Sequence, residues 1–186
     1  QCMLWQISPA ATEVEGLMVD WMRQALGLAK GFTGVIQDSA SSATLSAVLT
    51  MRERATGYCG NKEGLSGKGQ LRVYCSDQVH SSIDRAAWVA GIGQDNLVKI
   101  AGTGPRHGMD AVALETTIRT DIAAGYTPAG IVAITGGTGV GACDELGPIL
   151  KVAKAHDLYT HLDAAWAGSA MICPEYRAQF WADVDG

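Results

Sequence analysis

A chain of 186 residues fits one domain and is long enough to bury a sizeable core. Hydrophobic residues make up 47% and charged residues only 18%, which argues against a disordered chain. The net charge of −5, with no long basic run, gives no reason to expect nucleic acid as a partner, and no apolar stretch approaches the roughly 20 residues that span a bilayer.

In chain order, Ser8-Pro9 reads as a helix start, with proline at the first helical position. Thr12 and Glu15 offer a capping box slightly later. Val14, Leu17, Met18, Trp21, Met22 and Leu26 then fall on one helical face, and Gly27 is a plausible stop. Gly34-Val35-Ile36-Gln37 reads as a strand or a connector. It leads through Asp38-Ser39-Ala40-Ser41-Ser42 into a helix with Leu45, Val48 and Leu49 inward. Small hydroxyl residues at a helix start make a ready anion site, because free backbone N–H groups and the helix dipole point one way. Ordinary serine capping is the alternative reading of that run.

Gly57 to Gly69 reads as a surface loop; Gly67-Lys68-Gly69 lacks the frame of a P-loop. Leu71–Cys75 alternates like a strand, with His80 after its carboxyl end and Ser81-Ser82 opening a helix. A lone histidine there reads equally as a structural residue. Leu97–Ile100 is another strand, Gly102–Pro105 a loop, and Asp110 the cap of a helix through Leu114 and Ile118. Gly130–Thr135 is a continuous apolar run, suited to a strand covered on both faces. The glycines of Gly136–Gly141 allow close backbone approach to a ligand, although the dinucleotide fingerprint is broken by alanine at 142. A helix with Leu146, Ile149, Leu150 and Ala153 leads to Leu158-Tyr159-Thr160, which reads as a buried strand. Asp163 follows at its carboxyl end, where open α/β sheets bind ligands; turn capping is the alternative. Strands alternate with helices, which predicts an α/β domain with a mainly parallel sheet flanked by helices.

Cys2, Cys59, Cys75, Cys143 and Cys173 are scattered and odd in number. They read as reduced thiols of a cytoplasmic protein, and the four histidines lack zinc-ligand spacing. No signal peptide is recognisable.

Three segments carry a resemblance. The first is Trp5-Gln6-Ile7-Ser8-Pro9-Ala10-Ala11-Thr12-Glu13-Val14-Glu15, and the second is Ser76-Asp77-Gln78-Val79-His80-Ser81-Ser82-Ile83-Asp84-Arg85-Ala86. The third runs from His161-Leu162-Asp163-Ala164-Ala165-Trp166 to Ile172-Cys173-Pro174-Glu175-Tyr176-Arg177. In order and spacing they resemble the group II pyridoxal-phosphate decarboxylases, nearest the aromatic L-amino-acid branch, over essentially the whole chain.

The resemblance implies the large domain of a fold-type I pyridoxal-phosphate enzyme, of which residues 1–186 form the front part. It implies that Asp163 faces the ring nitrogen, that His80 stacks on the pyridine ring, and that Ala165 packs on the opposite ring face. His80 and Asp163 are thereby the candidate catalytic residues. Ala40, Ser41 and Thr138 would hold the phosphate end, and Met3 and Trp5 would lie at the substrate pocket. The family usually carries more threonines where this chain has Gly137 and Gly139. Its Schiff-base lysine would fall about nine residues past Gly186, and Lys151 and Lys154 are expected on a helix surface. The expectation is therefore a longer protein, with an N-terminal segment before this region and the lysine and a small C-terminal domain after it; the alternative is that the lysine sits on a second polypeptide. That protein is expected to be a homodimer with its active site at the interface, decarboxylating an aromatic L-amino acid. Glutamate or histidine as substrate, aldehyde formation, and a non-catalytic dimerisation module are the alternatives.

Overall fold

A computed structural model describes residues 4–180. Helix α1 (Pro9–Leu26) begins at Pro9, whose fixed φ suits the first helical turn, and ends at Gly27 in a left-handed conformation (φ 72°). The Thr12–Glu15 capping box does not form. Thr12 already lies within the helix and donates its hydroxyl to the Ser8 carbonyl at 2.8 Å. Glu15 instead accepts the backbone N–H of Ile36 at 2.7 Å, tying α1 to a connector that is not a strand.

Helix α2 (Ala40–Ala55) is capped by Ser39, whose hydroxyl accepts the Ser42 N–H at 3.3 Å. The Gly57–Gly69 loop contains one short helix, α3 (Gly60–Glu63). Then come β1 (Leu71–Ser76), α4 (Ser81–Val89) and β2 (Leu97–Ile100). A two-residue hairpin follows, β3 (Gly102–Thr103) with β4 (Gly108–Met109), where a plain loop was expected. Asp110 caps α5 (Ala111–Ala123) by accepting the N–H groups of Val112 and Ala113. The chain continues through β5 (Thr127–Ile134), α6 (Leu146–Ala155), β6 (Tyr159–Asp163), a 3-10 turn at Ala167–Ile172 and α7 (Pro174–Phe180).

The sheet runs β2-β1-β5-β6, and every pairing in it is parallel. Side chains alternate across it, but both faces are covered. Val73, Cys75 and Val132 pack with Val48 and Met51 of α2 and Ile83 of α4. Tyr74, Ile131 and Ala133 pack with Leu114 of α5 and Ile149 of α6. This explains why β5, and also β1, is buried on both faces. Gly130 lets α2 lie close: a Cβ there would meet Met51 Cγ and Sδ at 2.6 Å and the Tyr159 carbonyl oxygen at 2.8 Å.

One expectation needs correction. β6 is only half-buried along its length, because among the described residues it has one neighbouring strand and borders an open hollow. The apolar face of α1 does not pack inward: Val14, Leu17, Met18, Trp21 and Met22 are all 40% or more exposed. Among the described residues no helix is long and apolar enough to cross a membrane, and no cluster of His, Cys, Asp and Glu could hold a metal ion. Cys59, Cys75, Cys143 and Cys173 are free thiols.

Candidate active site

The chain leaves β1 to reach β2 on one side, then returns to place β5 on the other. Connections therefore diverge between β1 and β5, and such a switch point opens a crevice at the carboxyl ends of the strands. A cleft of about 180 Å³ lies there. His80 reaches it from the turn after β1, Thr138 from the loop after β5, and Asp163 and Ala165 from the end of β6. Ala40 and Ser41 line it from the first turn of α2. All six expected cofactor residues thus meet in one cavity.

Local chemistry fixes each. His80 is the N-cap of α4; its Nδ1 accepts the Ser82 N–H at 3.2 Å and lies 3.0 Å from the Ser82 hydroxyl. That bond leaves the neutral ring's proton on Nε2. Asp163 Oδ1 accepts the Ala165 N–H at 3.2 Å, so the turn-capping role exists. Its Oδ2 has no hydrogen-bond partner among the described residues. The N–H groups of Ala40 and Ser41 are the first in α2 and have no helical acceptor. The Ser41 and Thr138 hydroxyls also lack partners among the described residues. With Ser82 in the first turn of α4, two helix N-termini converge on the cleft, an arrangement suited to an anion.

Sequence reasoning missed Ser82 and Trp166 as cleft residues. The Trp166 indole N–H donates to the Gly136 carbonyl at 2.6 Å, while its ring is 62% exposed. Trp5 is not brought to the cleft; it is exposed on the segment before α1. Met3 lies outside the described residues. Lys151 and Lys154 are exposed on α6, and neither lines the cleft.

A larger hollow of about 560 Å³, which shares Ala40, Asp163 and Ala165 with the cleft, lies between α1, the 33–37 connector and β6. His161 faces it, two residues before Asp163 on the same strand. Burial holds the His161 imidazole below its usual range, with the Asp163 charge pulling it back up.

The donor set fits pyridoxal phosphate: an anion site of hydroxyls and first-turn N–H groups, and a carboxylate oxygen that has no partner among the described residues.

Residues 1–185 match the pyridoxal-dependent decarboxylase conserved domain. The chain is 38% identical to tyrosine/DOPA decarboxylase 1 of Papaver somniferum, over 93% of its own length and 35% of the relative's. It is similar to the solved structure of Oryza sativa TDC with PLP and tryptamine, with a TM-score of 0.86 and 37% identity over 94% of this chain and 37% of that one. It is also similar to 4-hydroxyphenylacetaldehyde synthase of Rhodiola rosea, with a TM-score of 0.86 and 35% identity over 94% and 38%. The chain thus spans about a third of the length of these relatives. It belongs to the pyridoxal-dependent decarboxylase family, and its α/β fold is that of the fold-type I enzymes.

Proposed function

We propose that the full-length protein decarboxylates an aromatic L-amino acid to the amine and CO2, using pyridoxal 5'-phosphate. The observation that carries this reading is the convergence of Ala40, Ser41, His80, Thr138, Asp163 and Ala165 on one cleft at the switch point. When bound, the cofactor supplies an electron sink for the charge left at Cα as the carboxylate departs. The chain's own part is to bind and orient. Ala40 and Ser41 N–H groups, with the Ser41 and Thr138 hydroxyls, hold the phosphate. The Asp163 carboxylate keeps the proton on the ring nitrogen. His80 and Ala165, which line the same cleft, would hold and orient the cofactor ring between them. The lysine that would bind the cofactor covalently is supplied from outside these residues, on the rest of a longer chain or on a second polypeptide.

The exposed apolar face of α1 supports a homodimer, in which a second copy covers Leu17, Met18 and Trp21. The free thiols support a cytoplasmic location.

The test is release of CO2 and amine by the full-length protein over a panel of aromatic amino acids, glutamate and histidine. Absence of CO2 from all of them sinks the proposal. A second reading, aldehyde formation, is favoured by the likeness to the Rhodiola rosea aldehyde synthase. Measuring aldehyde beside amine in the same reactions separates the two.

A further inference from the structure

Asp144 is buried, 3% exposed, and lies just beyond the Gly136–Gly141 loop. One carboxylate oxygen accepts the Met109 N–H and the other the Ile134 N–H, both at 2.7 Å. Its own N–H donates to the Ile134 carbonyl at 2.9 Å. It forms no ion pair among the described residues. A buried charge without a cation is costly, and here burial pushes the carboxyl's pKa up while the two backbone donors pull it down. Those donors sit at the two places the loop must be held: the last residue of β5, from which it departs, and β4 of the hairpin beside it.

The loop itself is closed above this point. Gly136 and Gly137 both donate to the Ala142 carbonyl, and Gly141 donates to that of Gly137. Thr135 pairs with Cys143 across the base. From the outside, Trp166 holds the Gly136 carbonyl. The tip, with Thr138, is exposed and carries glycine on both sides, and the single Gly141-to-Gly137 bond across it leaves its placement to the base.

We propose that Asp144 is a positioning residue for the phosphate end of the cofactor: it pins the base of the glycine loop to β5 and the hairpin, so that Thr138 is presented to the phosphate, with Trp166 as the second, outer hold. This rests on the pyridoxal-phosphate reading of the cleft. Asp144→Asn tests it with little change of shape, because an amide can accept one of the two N–H groups but turns a second donor toward the other. Trp166→Phe keeps an aromatic side chain and removes the indole N–H donor together with part of the ring, and its exposed position spares the fold.

The experiment uses the full-length apoenzyme. Affinities for pyridoxal phosphate and for pyridoxal, which lacks the phosphate, are measured for wild type and both variants, beside melting temperature and hydrogen exchange over residues 136–141. The expected result is a loss of roughly tenfold in pyridoxal-phosphate affinity for Asp144→Asn, the weight of one hydrogen bond to a charged group. Trp166→Phe loses less; pyridoxal affinity stays unchanged, and exchange in the loop quickens in both. If both variants bind the two ligands as wild type does, or lose both ligands equally, Asp144 does not position the phosphate end. If wild type itself binds no pyridoxal phosphate, the cofactor reading has failed instead.

Discussion

Asp163 accepts the backbone N–H of Ala165 through Oδ1 at 3.2 Å, and its second oxygen, beside the cleft, has no partner among the described residues. One carboxylate therefore serves a turn with one atom and has the other free for a ligand. Asp163→Asn separates the roles, since an amide oxygen can still cap the turn. We expect turnover of the full-length enzyme to fall about a hundredfold, on the order of 3 kcal/mol, while the melting temperature stays near wild type. A capping role alone predicts a stability loss of roughly 1 kcal/mol for Asp163→Ala and little change in rate per folded molecule. Near-normal turnover by Asp163→Asn with cofactor bound removes Asp163 from the site.

Gly130→Ala should destabilise the protein by about 1–3 kcal/mol, because its methyl group would drive Met51 and α2 away from the sheet. The midpoint of urea unfolding measures this. Combining it with Met51→Ala should recover part of the loss, since the same space is then vacated; no recovery means that the clash with the Tyr159 carbonyl dominates.

Alkaline stability follows from two buried acids. Burial pushes the Cys75 thiol from 9.0 up to about 12. Burial and the Asp121 carboxylate, which accepts the Tyr74 hydroxyl at 2.9 Å, push the Tyr74 phenol upward as well. Both groups stay protonated in the folded state at pH values where the unfolded chain has released the proton. Stability is thus unaffected below about pH 9 and falls as pH rises from there toward 12, at up to roughly 1.4 kcal/mol per unit for each group. Cys75→Ala should flatten the first part of that fall in alkaline denaturation, and an unchanged slope would refute the assignment.

Leu17→Glu and Trp21→Glu place a charge on the apolar face of α1, at positions exposed in the single chain. Each should leave the folded protomer intact and weaken self-association roughly tenfold or more, as loss of a central apolar anchor does. Sedimentation equilibrium of the full-length protein reads the change. Unaltered association of both variants would move the interface elsewhere.

Local signals were legible wherever their partners lie nearby in the chain. Asp110 caps its own helix two and three residues on, and Gly27 stops its own helix, so both could be read from pattern alone. Glu15 could not: its partner, Ile36, lies 21 residues away, and that tertiary bond replaces the capping box. β1 reads as an alternating strand because Arg72 interrupts its apolar run, yet both of its faces are covered by helices from distant parts of the chain. The cleft residues came out through motif resemblance; all but Thr138, which lies on the glycine loop, sit at or just beyond a strand end or at a helix start. Asp144 left no such trace, since its two acceptor bonds span 35 and 10 residues. The amphipathic pattern of α1 was correctly seen, but pattern alone does not say whether the face turns inward or toward another molecule.

The strand order has a consequence for biosynthesis. β1 is flanked by β2 and β5, and its pairing with β5 joins Leu71 to Thr127. As the nascent chain leaves the ribosome, β1 can take β2 as a neighbour early, but its other edge waits until the whole hairpin and α5 have been made. Through that interval Val73, Tyr74 and Cys75, all fully covered in the finished sheet, border an open strand edge. Non-local parallel pairing of this kind is slow and leaves chains prone to aggregate. Heterologous expression should therefore respond to slower synthesis or added chaperone through a higher yield of native protein, with no change in the melting temperature of what is recovered.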